Sequence, residues 1–421
     1  MNLIRGLLLG FLIFYVSIAG FLRLSCWKDP TSMFFRPKKA HNPEYSAYRI
    51  QQVIQYADLS STLVKTQIQN NEQRQPKLCI GIPSVRRESI SYLKLVLGSL
   101  QHGLSVEERK SLYFVVLLAH TNQTEHPDYN QPWLGIMADK LASYNDSEER
   151  LRQAQEMESR GHAIKSKFDY SIAMEECAKT EAPYIMMVED DVVFMDGWRH
   201  RTLMALAIAT TKSWEAGQAN FLYLRLFYYE GLLGWNSELW PTYLTSSLAV
   251  TILVAGCILL ARRHVPRPYA TNEVLLIVTL VFTPLLIVLF FAAGRNCMLP
   301  QPAGVHLMDN YACCGQALVF PRSAVTNGLL PFFRSNLLSG EPTDSFIEKY
   351  ADETGSLRWA LTPVVTQHVG GRSSHTGRRG GTYEPARIWN FGFEGNDAAK
   401  LAAEHARQLN LTNNLEMEFS M

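Results

Sequence analysis

Tyr184-Ile185-Met186-Met187-Val188-Glu189-Asp190-Asp191 decides the reading of this chain: a run of five largely apolar residues breaks directly into three acids. A run that short, with no polar residue reserved for one face, has the pattern of a strand buried on both sides. Similar runs lie to either side of it. Leu78-Cys79-Ile80-Gly81-Ile82 stops at Pro83, and Tyr113 to Ala119 is almost wholly apolar; Phe221 to Phe227, Gln316 to Phe320 and Leu361 to Thr366 repeat the pattern. Helical periodicities come between them. Tyr92, Leu93, Val96, Leu97 and Leu100 share one face with Gly103 closing the helix, and Glu148 to Arg160 and Phe168 to Cys177 follow. Strands alternating with helices predict an α/β fold with a largely parallel sheet covered on both faces.

In such a sheet ligands collect beyond the carboxyl ends of the strands, where Glu189-Asp190-Asp191 falls. Three adjacent carboxylates repel one another, and hard oxygen ligands at this place suit Mg²⁺ or Mn²⁺ holding a diphosphate. The same triplet reads equally as a solvated acidic turn or helix start. His368, after Leu361 to Thr366 and before Val369-Gly370-Gly371, reads as a hydrogen-bonding residue at a strand end or as a further Mn²⁺ ligand. Asp344 follows Gly340-Glu341-Pro342-Thr343 and precedes the helical pattern Phe346, Ile347, Tyr350. It reads first as a helix-start acid, and second as a carboxylate placed to deprotonate an acceptor hydroxyl. The chain has no Gly-x-x-x-x-Gly-Lys-[Ser/Thr] loop, no Gly-x-Gly-x-x-Gly after the first strand, no Gly-x-Ser-x-Gly elbow and no His-Glu-x-x-His. P-loop, dinucleotide, serine-hydrolase and zincin chemistries are therefore disfavoured.

The 421 residues carry 40 Lys+Arg against 39 Asp+Glu, so no basic field is available for a nucleic-acid backbone. A mean hydropathy of −0.06 argues against a polytopic transporter, yet that average conceals three uncharged apolar runs. Gly6 to Leu22 holds 17 residues, Pro241 to Ala261 and Val274 to Gly294 hold 21 each. The first reads as an N-terminal anchor rather than a cleaved signal peptide, because it is long for a signal core. The other two form a hairpin whose connecting loop has Arg262, Arg263, His264 and Arg267 against one acid, Glu273, which predicts a cytoplasmic loop. Parity then puts residues 25–240 and 295–421 in a lumen. Arg23, Lys28, Arg36, Lys38 and Lys39 after the first run pull the other way, whereas sequons at Asn122, Asn145 and Asn410 accord with a lumen.

The expected organisation is an anchor over 1–24, a stem over 25–76, and a first catalytic part over 77–240. The hairpin over 241–294 and a second catalytic part with the tail over 295–421 complete it. One α/β domain is thus interrupted by a membrane insertion. Cys257 lies within a span; Cys26, Cys79, Cys177, Cys297, Cys313 and Cys314 leave room for one or two disulfides whose connectivity is unreadable, the adjacent Cys313 and Cys314 being poorly placed to pair together.

Several stretches resemble GT-A glycosyltransferases that use a nucleotide-sugar and a divalent metal. Ile80-Gly81-Ile82-Pro83-Ser84-Val85-Arg86-Arg87, Leu97-Gly98-Ser99-Leu100, Lys167-Phe168-Asp169-Tyr170, Val188-Glu189-Asp190-Asp191 and Gln367-His368-Val369-Gly370 are similar to the type IV N-glycan GlcNAc-transferases. The whole chain resembles more fully the post-GPI-attachment GalNAc-transferase family of the Golgi. That family has a first anchor, a Glu-Asp-Asp motif, a strand like Leu222 to Leu226, a two-span hairpin inside its GT-A domain, and a Cys-Cys pair matched by Cys313-Cys314. Its later Asp, Pro and His-hydrophobic-Gly match Asp344, Pro363 and His368-Val369-Gly370, so coverage runs from about residue 75 to 372. Arg225 departs from the family's usual lysine, and the Gly/Arg-rich segment 370–381 is longer than the family's.

The resemblance implies a Golgi-membrane, multi-pass, inverting glycosyltransferase that moves a HexNAc or hexose from a UDP-sugar to the glycan core of GPI-anchored proteins. It implies that Glu189, Asp191 and His368 hold Mn²⁺ or Mg²⁺, with Asp190 oriented nearby and Asp344 as general base. Arg86 and Asp169 are expected at the nucleotide. The bilayer is then a partner: a hairpin beside the site would hold it close to a lipid-embedded acceptor and raise effective concentration. The alternatives are an N-glycan GlcNAc-transferase, for which a second membrane attachment has no use, or a membrane lectin of the same fold without turnover. A channel or carrier is disfavoured because the spans contain no ionisable residue.

Overall fold

A computed structural model describes residues 3–60, 75–87, 90–264, 271–308, 314–371 and 388–419. The chain divides into two compact units, each assembled from non-contiguous segments: residues 1–42 with 230–302, and residues 43–229 with 303–421.

Among its described residues the first unit contains three helices long and apolar enough to cross a membrane, Leu3–Ser25, Glu230–Ala261 and Asn272–Ala292. The anchor does not stand apart from the hairpin. Phe11 stacks on Phe282 at 3.7 Å between ring centroids, and Leu22 and Cys26 pack with Leu289 and Ala293. Where the anchor ends, the Asp29 carboxylate accepts hydrogen bonds from the Cys297 backbone N–H at 2.9 Å and the Asn296 amide at 3.1 Å. Gly294 permits this clip, since at its φ of +92° a Cβ would come 2.5 Å from the Asp29 carboxylate. Pro284 removes one backbone donor from the third helix, and the turn Val278–Phe282 before it widens to π geometry, with Thr283 Oγ1 donating to the Val278 carbonyl at 2.9 Å. Arg267 in the connecting loop lies outside the described residues.

The second unit is built on an eight-stranded sheet. Its strands are β1 (Leu78–Ser84), β2 (Leu112–Leu118), β3 (Lys140–Ala142), β4 (Tyr184–Val188), β6 (Tyr223–Arg225), β7 (Gly304–Leu307), β8 (Ala317–Pro321) and β9 (Arg358–Thr362). The order is β3-β2-β1-β4-β8-β6-β9-β7. β3, β2, β1 and β4 run parallel, as do β6 and β9, while β8 and β7 are antiparallel to their neighbours. A separate ribbon pairs β5 (Val192–Phe194) with β10 (Thr366–His368) in antiparallel register. The continuous apolar runs are buried as their composition demands: β2 and β4 each have a single residue that is not fully covered.

The fold differs from the sequence reading at one strand. Leu361 to Thr366 is not one strand; Pro363 cannot donate to a ladder, so β9 ends at Thr362 and the chain restarts in β10 on another partner. The stem is helical over Tyr45–Ser60, as its polar sequence with scattered Ile, Val and Leu implies; Val53 and Ala57 of this helix are fully buried, and Arg49 donates to the carbonyls of Phe194, Ser99 and His102. Cys79 on β1 is joined to Cys177 on the helix His162–Ala178, a pairing that the cysteine spacing left open. Cys314 is also in a disulfide, Cys313 lies outside the described residues, and Cys26 and Cys297 are free thiols.

Candidate functional site

β1 and β4 are parallel neighbours, so the loops after Ser84 and Val188 emerge at the same edge of the sheet. Glu189, Asp190 and Asp191 leave that edge in different directions. The Glu189 backbone N–H still extends the ladder to the Gln316 carbonyl at 3.0 Å, which turns its side chain toward Gly315. Asp191 precedes β5, and its carbonyl accepts from the Val369 N–H at 2.9 Å. The register of the ribbon sets His368 opposite Val192, so a residue 177 positions later arrives beside Asp191. His368 Nε2 lies 3.3 Å from Asp191 Oδ2.

The result is a cluster in which one ligand atom each from Glu189, Asp191 and His368 lies within 4.8 Å of the others. Two carboxylates and an imidazole are a donor set for a hard or borderline divalent ion such as Mn²⁺. Two observations fit such an ion. Asp191 Oδ1 is a buried carboxylate oxygen without a hydrogen-bond partner among the described residues. His368 Nδ1 faces the Ile388 carbonyl at 3.2 Å, which fixes the tautomer and leaves Nε2 for a ligand. Charge is unevenly shared. Burial and then the Asp191 charge push the Glu189 carboxyl above its ordinary range. Burial opposes ionisation of Asp191 too, but His368 and Arg87 hold it well below the usual value. Burial lowers the His368 pKa, but Asp191, Glu189 and the Ile388 carbonyl together raise it to about 9.

Asp190 turns away from this cluster. Ser84 Oγ donates to its Oδ2 at 2.5 Å, and Arg87 Nη2 sits 2.6 Å from its Oδ1. Behind them, His126 Nδ1 accepts the Asp128 backbone N–H at 3.2 Å, so its Nε2 carries the proton and donates to Ser84 Oγ at 3.1 Å. Burial lowers the His126 pKa to about 4, which keeps its imidazole neutral. Asp344 begins the helix Thr343–Thr354 on the other side of the acids. A point beside Gly315 lies 3.5 Å from Glu189 Oε1 and 3.7 Å from Asp344 Cβ. Asp344 Oδ1 accepts the Ser345 N–H at 2.8 Å.

Arg86 and Asp169, expected at the nucleotide, do not join the Glu189, Asp191 and His368 cluster. The Arg86 side chain is exposed, its backbone N–H donating to His120 Nε2 at 2.8 Å. Asp169 is buried in a triad with Lys165 at 2.5 Å and the Tyr144 hydroxyl, and burial raises its pKa to about 6. A cavity of about 270 Å³ opens beyond β2 and β3, lined by Leu118, Tyr129, Leu134, Leu141 and Ser143. It lies at β2 and β3, two and three strands from β4, and none of the acids lines it.

Residue types alone did not reveal several members of the site. Arg87 is the arginine that reaches Asp190 and Asp191, and nothing in Arg86-Arg87 distinguishes the two. Gly370 is the floor under Asp191, since a Cβ there would come 2.2 Å from Oδ2. Tyr170 has a buried hydroxyl without a partner among the described residues, and burial and the charge of Glu189 raise its pKa.

No curated protein matches the chain. A family model does, over residues 78–367, a span that includes β1, the acidic triplet and the ribbon up to Gln367. That span covers well over half of the sequence, and the chain belongs to the GPI-N-acetylgalactosamine transferase PGAP4 family, a family of glycosyltransferases acting on GPI glycans.

Proposed function

We propose that the chain is a GT-A-type, metal-dependent, inverting glycosyltransferase that moves a HexNAc or hexose from a UDP-sugar onto the GPI glycan in the Golgi lumen. The observation that carries this reading is the cluster of Glu189, Asp191 and His368 at the carboxyl edge of a mostly parallel sheet, with Asp344 across Gly315. Glu189, Asp191 and His368 would hold Mn²⁺ or Mg²⁺, which when bound offsets the charge growing on the departing diphosphate. Ser84 and Arg87 keep Asp190 turned from the ligands, and Gly370 lets Asp191 approach them.

Asp344 acts on the acceptor. Its Oδ1 is engaged by Ser345, leaving Oδ2 to accept the hydroxyl proton as the acceptor oxygen bonds to the sugar's anomeric carbon. The bond from that carbon to the diphosphate breaks on the opposite face, and UDP leaves with the electron pair. The family's description makes UDP-GalNAc the first donor to test. The chain passes three times between the unit with the membrane helices and the unit with this site, which suits an acceptor anchored in lipid.

The test is UDP release by detergent-purified protein from a panel of UDP-sugars, with and without Mn²⁺. Release from one donor, dependent on metal and reduced at least about 100-fold in Asp191→Ala and His368→Ala, is expected. Binding of GPI glycan without release from any donor, acceptor present, would replace the transferase by a lectin.

A further inference from the structure

The acidic cluster holds unsatisfied groups of two opposite kinds. Asp191 Oδ1 is a buried acceptor, and Nε and Nη1 of Arg87 are buried donors, none with a partner among the described residues. They belong to one assembly, because Arg87 Nη2 lies 2.6 Å from Asp190 Oδ1 and 3.2 Å from Asp191 Oδ2. The guanidinium is packed over the Tyr92 ring at 5.3 Å, and the side chain is 7% exposed, which shields its two remaining donors from bulk solvent. Buried polar atoms normally have a hydrogen-bond partner, and a bound ion or ligand is one source of it. A divalent cation would satisfy the carboxylate oxygen and be repelled by Arg87. An oxyanion would satisfy Arg87 and be repelled by the carboxylates. A cation and an oxyanion arriving together satisfy both.

We infer that Arg87 is a positioning residue with two duties: it fixes Asp190 and Asp191 before the donor arrives, then offers Nε and Nη1 to a diphosphate oxygen of the metal-bound nucleotide. This rests on the metal-dependent nucleotide-sugar reading of the site. It sets two effects of opposite sign. Toward metal alone Arg87 is a competing cation, so its removal strengthens binding. Toward metal with nucleotide it is a charge-assisted donor, so its removal weakens binding. A lysine keeps the charge but not the planar fork.

The experiment titrates the full-length, detergent-solubilised protein with Mn²⁺ alone, followed by the resonance of free Mn²⁺, and with UDP at saturating Mn²⁺, followed by calorimetry. Arg87→Met is expected to bind Mn²⁺ alone several-fold more tightly and UDP with Mn²⁺ at least about tenfold more weakly. Arg87→Lys is expected to hold Mn²⁺ as the wild type does and still lose about tenfold toward UDP. Loss of both affinities together in Arg87→Met, with both restored by Arg87→Lys, would overturn the inference in favour of a plain structural counter-charge. If Arg87→Met does not fold, wild-type UDP affinity in Arg87→Lys overturns it alone. Should the wild-type protein fail to bind UDP with Mn²⁺, the underlying reading has failed and the role of Arg87 falls with it.

Discussion

Glu189, Asp190 and Asp191 are neighbours in sequence whose carboxylates have different partners: Gly315 beside the first, Ser84 and Arg87 on the second, His368 and Gly370 on the third. The triplet itself was legible in the sequence because its signal is local, an apolar strand breaking into acids. The separation of Asp190 from the other two came only with the family resemblance and not from the residues themselves, because it depends on groups brought from residues 84, 87, 315, 368 and 370 by the sheet and the ribbon. Arg87 is the clearest case: its adjacent twin Arg86 has the same chemistry and faces solvent. Gly370 gives the sharpest test at this scale. A methyl group there would press on Oδ2, Cγ and Cβ of Asp191 at 2.2, 2.7 and 2.9 Å, so the carboxylate must move as a whole. Gly370→Ala is expected to lower donor turnover by about 100-fold, the scale of a misplacement near 1 Å, with little change in the melting temperature. Parallel kinetics and melting curves of the variant and the wild type check this.

Elements carry the site as much as residues do. The ribbon of β5 and β10 is pinned by Thr366 Oγ1 on the Val193 carbonyl at 3.0 Å and by Gln367, whose amide donates to Asn390 and Glu394, each at 2.8 Å. Sequence periodicity merged β10 into the preceding apolar run because three-residue strands are too short to show a period. The C-terminal helix Ala398–Phe419 docks through His405, which bridges Asp196 at 2.7 Å and Glu108 at 3.1 Å. Hydrogen bonds to Asp196 and Glu108 raise the His405 pKa to about 9, against an ordinary value near 6.5. The folded value is the higher one, so this contribution is complete below pH about 6.5 and is lost as pH rises through about 9. The wild-type melting temperature is expected to fall between pH 6.5 and 9.5 more than that of His405→Gln; equal slopes would remove the docking role.

At the scale of the whole molecule, the interruption of an α/β domain by apolar runs was legible from hydropathy, and the chain does return to complete the sheet with β7, β8 and β9 after the hairpin. The packing of the anchor against the third membrane helix, through Phe11 and Phe282, was not. In a span that is apolar on every side, no residue pattern marks the face that meets a partner helix. The measurement that bears most directly on the account uses the full chain in detergent with Mn²⁺, a labelled UDP-sugar and a GPI-glycan acceptor, comparing the wild type with Asp344→Asn. Label transfer by the wild type and a loss of at least about 100-fold in the variant are expected, with UDP binding retained, since the role proposed for Asp344 is toward the acceptor. Transfer by Asp344→Asn at the wild-type rate would contradict it.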